Sequence, residues 1–268
     1  MRAIVVFFIL VTSLNLTFSQ SDTLYPKRLA KIHHAEPLYV DLVRDLGARK
    51  GEHEINVGWG MNNKGDYVSN NGFVEYEFAP INRLGVEVEV PFSVDTPVSS
   101  PDKKGAELSS KSSSAIKLAA QYTLGVWVKS QLSIAVGYMH EMYVEKLVTE
   151  YSPFLVVGKK WGRNFHTLIY TGPVWKSHPN RPNLDQIYQM NFSFHYIIPQ
   201  TFNFVGVECN IEFYGDEVDL TFRPQTRVQL SESVHLGVLT GIPLHFSNDK
   251  MSFMARLIYI PHSKKKRL

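Results

Sequence analysis

From His53 onward, apolar and polar residues alternate with a period of two, which is the period of a β-strand with one buried face. The alternation defines about twelve segments, so a helix-rich fold is excluded for this part of the chain. It is regular in residues 55–61, 116–124, 132–138, 188–198, 205–213 and 218–222, and less regular in 154–160, 165–174, 234–245 and 251–260.

The most regular stretch is V-E-Y-E-F-A-P-I-N-R-L-G-V-E-V-E-V, residues 74–90, which alternates, turns and alternates again. Pro80 suits the first central position of a turn and Asn82 tolerates a left-handed backbone, so a three-residue P-I-N loop is predicted. That loop pairs Glu75 with Glu87 and places Glu77 opposite Gly85. All the glutamates then lie on one face of the hairpin, and the apolar residues lie on the other.

The connections between segments distinguish a membrane barrel from a soluble sandwich. Every second connection is tight, whereas four of the others are long: residues 61–71, 91–113, 140–152 and 175–185. Outer-membrane barrels combine short periplasmic turns with longer extracellular loops, an even strand number and aromatic residues at both rims. Trp127 and Trp161 fall at tight turns, and Trp59 and Trp175 fall at the opposite strand ends. The predicted fold is therefore an all-β, antiparallel transmembrane β-barrel of about 12 strands.

The N-terminal part of the chain has a different character. Arg2 and an apolar run precede small polar residues, so residues 1–19 are predicted to be a signal peptide that directs the protein to the outer membrane. Residues 20–52 are predicted to be a periplasmic or plug segment. It contains a short amphipathic helix over 36–47, because Pro37 suits a helix start, Gly47 suits a stop, and four apolar residues share one face: Leu38, Leu42, Val43 and Leu46. The barrel is assigned to 53–262, and 263–268 form a basic tail.

Charge and cysteine content narrow the function. The formal net charge is +3, and four of the positive residues are in the terminal K-K-K-R. With no basic stripe along the rest of the chain, nucleic-acid binding is not expected. The one cysteine, Cys209, cannot form an internal disulfide. No cofactor and no metal site are predicted.

Alternate residues of a strand point to opposite faces, so the polar residues of the alternating pattern point into the barrel. These inward residues carry charges of both signs. Two interpretations follow: a salt-bridge network that fills a narrow barrel, or an acidic patch that selects cations or binds a divalent ion. Lys117 is placed to reach Glu89. The predicted interior acids are Glu75, Glu77, Glu87, Glu89, Glu208, Glu212 and Asp219, and the predicted interior bases are Lys117, Arg223, Arg227 and Arg256.

The sequence also contains two weaker chemical patterns. Ser193 and His195 share a strand face, and a serine next to a histidine base can act as a nucleophile. Their order is the reverse of that usual in barrel lipases, and both face the lumen by parity, so they are interpreted as lumen-lining residues. His33, His34 and Glu36 offer ligand atoms, but adjacent histidines on a basic segment rarely bind metal.

The segment H-H-A-E-P-L-Y-V-D-L-V-R-D-L-G-A-R-K-G-E-H-E-I-N-V-G, residues 33–58, resembles the N-terminal region of uncharacterised outer-membrane barrel proteins of Bacteroidota-type bacteria. Those proteins continue with a hairpin similar to residues 74–92. The resemblance implies the fold and the location, and it implies no activity. The hairpin also looks loosely like barrels that transport aromatic compounds.

These observations favour a narrow channel or small-solute transporter with a mixed-charge, locally acidic lumen. The expected partners are outer-membrane lipid and small solutes or cations. The alternative is a structural or interaction barrel whose loops 91–113 and 175–185 bind partners or surface glycan. An outer-membrane lipid-modifying enzyme is the least favoured hypothesis, because only the Ser193 and His195 pair supports it.

Overall fold

The computed structural model describes residues 29–40, 42–98, 110–245 and 251–261, and the strands in these residues form one closed barrel. Each strand pairs antiparallel with its neighbours in the chain, and β1 closes the barrel against β12. The predicted twelve-stranded antiparallel barrel is confirmed. Its strands are β1 (His53–Asn63), β2 (Tyr67–Ile81), β3 (Leu84–Pro97), β4 (Lys111–Trp127), β5 (Leu132–Tyr143), β6 (Val148–Trp161), β7 (Phe165–Ser177), β8 (Asp185–Ile197), β9 (Phe204–Tyr214), β10 (Glu217–Gln229), β11 (Val234–His245) and β12 (Met251–Tyr259).

The outer surface of the barrel is apolar around its whole circumference. Successive side chains of a strand point to opposite faces, so the apolar members of the alternating pattern share the outside. Several of them keep between 41% and 50% of their surface exposed: Val57, Val74, Val88, Leu118, Tyr138, Phe194, Val205 and Leu257. An apolar belt of this extent on a closed barrel is the surface that a lipid bilayer covers.

The connections differ between the two ends of the barrel. At the end where β1 begins they comprise residues 82–83, 128–131, 162–164, 198–203 and 230–233, and at the other end the longest connection described throughout is 178–184. Short turns mark the periplasmic end of such barrels. Two connections predicted to be long are short: β1 and β2 are joined by residues 64–66, and β5 and β6 by residues 144–147. The prediction was wrong there because these strands continue through polar residues, which hide the alternation.

The hairpin of residues 74–90, here called the acidic hairpin, has a different turn and a different strand register from those predicted. Phe78 pairs with Val86, a bulge follows, and Ile81 pairs with Leu84, so the turn consists of Asn82 and Arg83. Arg83 has the left-handed backbone, with φ 71°. Glu75 therefore lies opposite Glu89, and Glu77 opposite Glu87. The shift is two residues, so every side chain keeps its predicted face.

Residues 29–52, here called the luminal segment, lie inside the barrel without forming a helix in any described residue. The predicted helix over 36–47 is wrong, although its apolar residues are buried as the pattern indicated. Leu42, Val43 and Leu46 pack against the wall on the β4–β7 side, while Leu38 packs against Phe204, Leu239 and Ile258. The segment thus fills the space between opposite walls. No helix of the described residues is long and apolar enough to cross a membrane.

The signal peptide predicted for residues 1–19 and the tail at 263–268 lie outside the described residues, as does Asp41. The luminal segment leads directly into β1 at His53, so its C-terminal end lies at the end of the barrel where β1 begins.

Candidate functional site: the luminal segment and the barrel interior

Glu208 of β9 holds the luminal segment by three consecutive backbone N–H groups. Oε1 accepts hydrogen bonds from the amides of Leu38 and Tyr39, each at 2.9 Å, and Oε2 accepts one from Val40 at 3.1 Å. Gln225 of β10 accepts a further bond from Leu38 at 2.8 Å and donates to Glu208 at 2.8 Å. These amides would otherwise be unpaired in a buried site. The carboxylate therefore gives three consecutive backbone amides of the segment an acceptor on the barrel wall.

Arg44 anchors the segment to the opposite side of the barrel. Its Nη1 donates to Glu54 of β1 at 2.8 Å and to Glu77 of β2 at 2.9 Å. Its carbonyl accepts a bond from the Gln121 side chain of β4 at 2.6 Å. Gly85 of β3 makes room for this contact, because a Cβ there would lie 3.3 Å from the Arg44 amide nitrogen and closer still to its Cβ. All these charged groups are buried, so the pairing offsets a large desolvation cost.

A third anchor lies at β5 and β7. The Nε2 atom of His34 lies 3.0 Å from the Ser133 hydroxyl, and the Ala35 amide donates to Nδ1 of His166 at 3.2 Å. The two imidazole rings meet edge to face, with centroids 5.9 Å apart. Burial lowers the pKa of His34 to about 4, so this ring is neutral at pH 7. Asp45 acts in the opposite direction, but burial outweighs it.

The two ends of the luminal segment are tied together by an internal ion-pair cluster. Lys31 contacts Asp45, and its Nζ lies 2.6 Å from the Glu52 carboxylate. Burial lowers the pKa of Lys31, but Asp45 and Glu52 outweigh burial and raise it above its ordinary value. The segment is therefore folded on itself as well as bound to the barrel wall.

The glutamates of the acidic hairpin are all buried, and each faces a cation. Arg256 of β12 lies 2.7 Å from Glu75 and 3.5 Å from Glu77. Lys117 lies 3.0 Å from Glu87 and also contacts Glu89, the residue that the sequence placed within its reach. The like charges that oppose each other across β2 and β3 are thus separated by basic side chains from β4 and β12.

Glu75, Glu87 and Glu89 are also the carboxylates that come close enough together to suggest a cation site among the described residues. The Lys117 ammonium already lies within 4.0 Å of all three. A fixed ammonium group at the centre of the cluster supplies the positive charge that a divalent ion would bring. The donor set therefore fits an internal salt bridge better than a metal.

The structure places the remaining predicted residues along the same interior. Arg227 lies 3.9 Å from Glu36 of the luminal segment and over the Phe204 ring. Glu212 accepts a hydrogen bond from the Tyr214 hydroxyl and lies opposite Asp219 in the register of β9 and β10. These two acids lie towards the extracellular end, away from the segment anchors.

Ser193 and His195 are both buried in the lumen, where parity placed them. The Ser193 hydroxyl donates to the Leu168 carbonyl at 3.5 Å, and the His195 ring packs edge-on against Phe204, with centroids 4.6 Å apart. No hydrogen bond joins the two side chains in the described structure. The geometry therefore lacks the serine–base contact that nucleophilic catalysis requires.

Sequence reasoning missed the luminal-segment residues that make the anchors, above all Tyr39 and Arg44. Neither is among the four residues assigned to the apolar face of the predicted helix. The available signal was the position of Arg44 in an apolar stretch of an exported chain, since a charge there needs a buried partner.

A closed barrel with an apolar exterior and a charged interior belongs to the class of transmembrane β-barrels. More specifically, the chain belongs to the HAEPLYID-like family, whose profile matches residues 30–260. The comparison with curated proteins gives no match.

Several solved structures that are similar in fold, at low sequence identity, are outer-membrane channels. An outer-membrane channel from Pseudomonas putida F1 has a TM-score of 0.62 and 15% identity, with 81% of this chain and 98% of that chain covered. The NanC porin has a TM-score of 0.58 and 8% identity, with coverage of 78% and 100%. The KdgM porin has a TM-score of 0.56 and 14% identity, with coverage of 78% and 99%.

Proposed function

We propose that the protein is an outer-membrane channel for small solutes whose lumen is closed by the luminal segment acting as a plug. The observation that carries this proposal is the way the segment is held. Its anchors come from strands around the whole barrel, including β1, β2, β4, β5, β7, β9 and β10. A segment bound on all sides crosses the path that a solute would take.

The chemistry of the anchors supports a plug that can be released. The hydrogen bonds and ion pairs that hold the segment each leave a group that water can solvate once the segment moves out. A purely apolar filling would expose a dry surface instead. The segment therefore closes the lumen, and the barrel wall behind it is polar, which suits a water-filled path.

The mixed interior charge favours a salt-bridge network over an acidic cation filter. Each hairpin glutamate faces Arg44, Arg256 or Lys117. Fixed cations at contact distance leave little net negative field for a passing ion. The similar KdgM porin has been solved in complex with disordered oligogalacturonate, and this supports a soluble small molecule as the class of solute here.

The outer membrane is the proposed location, with residues 1–19 as the signal peptide and bilayer lipid as the partner of the apolar belt. Similarity to outer-membrane channels supports this. We also infer a Bacteroidota-type source for the family, from the residues 33–58 pattern. An enzymatic role is not proposed, since Ser193 and His195 are not hydrogen-bonded to each other.

Deletion of residues 20–52 from the mature chain tests the plug. We expect single-channel conductance in planar bilayers to rise from near zero to a steady open level, because the segment no longer fills the lumen. Deletion of the tail 263–268 is the control at the other terminus, and it should leave conductance at the wild-type level. Heat-modifiable gel mobility establishes that both variants fold as barrels.

A point variant tests the same proposal with the chain intact. Glu208→Gln removes the charge that accepts three amide bonds, so brief openings should become frequent while the segment stays attached to β1. A folded deletion variant that conducts no better than the wild type would contradict the channel. That result would favour an interaction barrel.

A further inference from the structure

A cavity of about 170 Å³ lies inside the barrel on the extracellular side of the luminal segment. Asn62 of β1, Asn71 of β2 and Ser252 of β12 contribute polar groups, and Phe73 contributes an aromatic ring. Tyr39 forms the floor, and 47% of its surface is exposed although it lies within the barrel. Water therefore reaches this cavity.

Arg223 of β10 is the charged residue of this cavity, and its environment differs from that of the other interior arginines. Its Nε donates to Asn210 at 2.6 Å, and its Nη1 donates to Ser252 at 3.1 Å. Arg44 and Arg256 are paired with glutamates at 2.7–2.9 Å. Among the described residues, no carboxylate lies within 4.0 Å of Arg223, which is only 8% exposed.

The position of the guanidinium is built into the fold. It lies over the Tyr39 ring, with its central carbon 3.5 Å from the ring centroid. Gly241 of β11 leaves the space it occupies, since a Cβ there would collide with Nη1 and with the Ser252 hydroxyl. A buried cation without an anion is costly. Neutral partners hold this one at the edge of a water-filled cavity, with Nη2 left for a further acceptor.

We propose that this cavity is a binding subsite for a small solute that carries one carboxylate on a ring. The carboxylate pairs with Arg223, since a guanidinium fork matches carboxylate geometry. The ring packs on Tyr39 and Phe73, and the amides of Asn62 and Asn71 bond to hydroxyl groups on those rings that carry them. The volume admits one small ring and excludes a folded chain.

The subsite rests on the proposed channel function and gives it a solute class. It also couples the solute to the plug, because Tyr39 belongs to the luminal segment. The ring of Tyr39 faces the cavity, while its backbone amide is held by Glu208 at 2.9 Å. A solute that contacts Tyr39 therefore contacts the part of the plug nearest to its Glu208 anchor.

Isothermal titration of the full mature protein in detergent tests the subsite, with glucuronate and benzoate as probes. Glucose and benzyl alcohol are the matched neutral compounds. At least one carboxylate should bind, and its neutral counterpart should not bind over the same range. Arg223→Gln should weaken binding by about tenfold or more, because a charge-assisted hydrogen bond is lost. Arg181→Gln, which removes an equal charge in an exposed extracellular loop, should leave affinity unchanged.

Three results would overturn the subsite: no binding of either carboxylate, equal binding of the neutral counterpart, or unchanged affinity in Arg223→Gln. If Arg223→Gln does not fold, Tyr39→Leu replaces it, since Tyr39 is not part of the wall. It should weaken binding by about fivefold through loss of the stacked ring, and unchanged affinity would again contradict the proposal. Titration does not require conduction. Binding by a barrel that never conducts refutes the channel alone, and conduction without binding refutes the subsite alone.

Discussion

At the scale of single residues, Lys117 determines the state of the acidic hairpin. Its ammonium group lies within 4.0 Å of Glu75, Glu87 and Glu89 together. Without it, three buried carboxylates would face one another in a space shared with Arg256. The hairpin is therefore stable only because β4 places the Lys117 ammonium group beside these three glutamates.

We expect Lys117→Met to destabilise the barrel by about 3–5 kcal/mol, since removing one member of a buried ion pair leaves an uncompensated charge. Guanidinium unfolding in lipid vesicles, followed by tryptophan fluorescence, measures the change. Lys111→Met on the same strand is the matched control, because Lys111 is exposed at the extracellular end. Equal unfolding midpoints for Lys117→Met and the wild type would show that the cluster does not need its lysine.

The sequence predicted which residues face inward, because parity alone decides the face of a strand residue. It could not predict the partners of those residues. Glu75 was paired with Glu87 and lies opposite Glu89, because the bulge after Phe78 and the left-handed Arg83 move the turn. Bulges depend on contacts with other segments, here the bond from the Arg83 amide to the Ala48 carbonyl of the luminal segment.

At the scale of elements, the luminal segment has apolar residues at helical spacing, although it is not a helix and these residues are buried against two sides of the barrel wall. Leu38, Leu42 and Leu46 recur every four residues, which is helical spacing. In the structure they face different parts of the wall, and Leu38 belongs to a different apolar cluster from Leu42 and Leu46. The backbone amides of Leu38, Tyr39 and Val40 are paired instead with Glu208 and Gln225 of the barrel wall. Tertiary hydrogen bonds thus outweigh local propensity, and sequence pattern alone does not reveal them.

The fit between the luminal segment and β3 depends on the absence of a side chain at Gly85. Gly85→Val should displace Arg44 and loosen the plug, because the added atoms would overlap its Cβ and crowd its backbone nitrogen. The expected result is faster protease cleavage within residues 29–52 and more frequent channel opening. Val88→Leu, an outward-facing change on the same strand, should alter neither. Unchanged cleavage in Gly85→Val would mean that the segment can shift without leaving its site.

At the scale of the whole molecule, the architecture was predictable because it follows from repeated local rules. Strand period, even strand number and the tight turns at one end all point to a closed barrel. The way in which the luminal segment contacts the barrel wall was not predictable from these rules. It depends on which of the inward residues from β1 to β12 meet the luminal segment, and those contacts join residues up to 187 positions apart in the chain.

The last prediction concerns the barrel and the luminal segment as two separable parts. A synthetic peptide of residues 29–52, added to the barrel that lacks 20–52, should close the open channel. Closure should occur from the periplasmic side, where the segment joins β1, and should be much weaker from the other side. The physical basis is that three sets of anchors act within one short peptide, so their binding energies combine while the cost of association is incurred once.

Bilayer recordings with oriented insertion measure this block as the fraction of time closed against peptide concentration. A peptide with Leu38→Asp and Leu42→Asp is the control, because it puts unpaired charges into both apolar clusters, and it should block poorly. Equal block by the two peptides, or equal block from both sides, would mean that the segment obstructs the pore non-specifically. Selective periplasmic closure would instead mean that the anchors at Glu208, His166 and the Glu54–Glu77 pair form a preorganised receptor for this part of the chain.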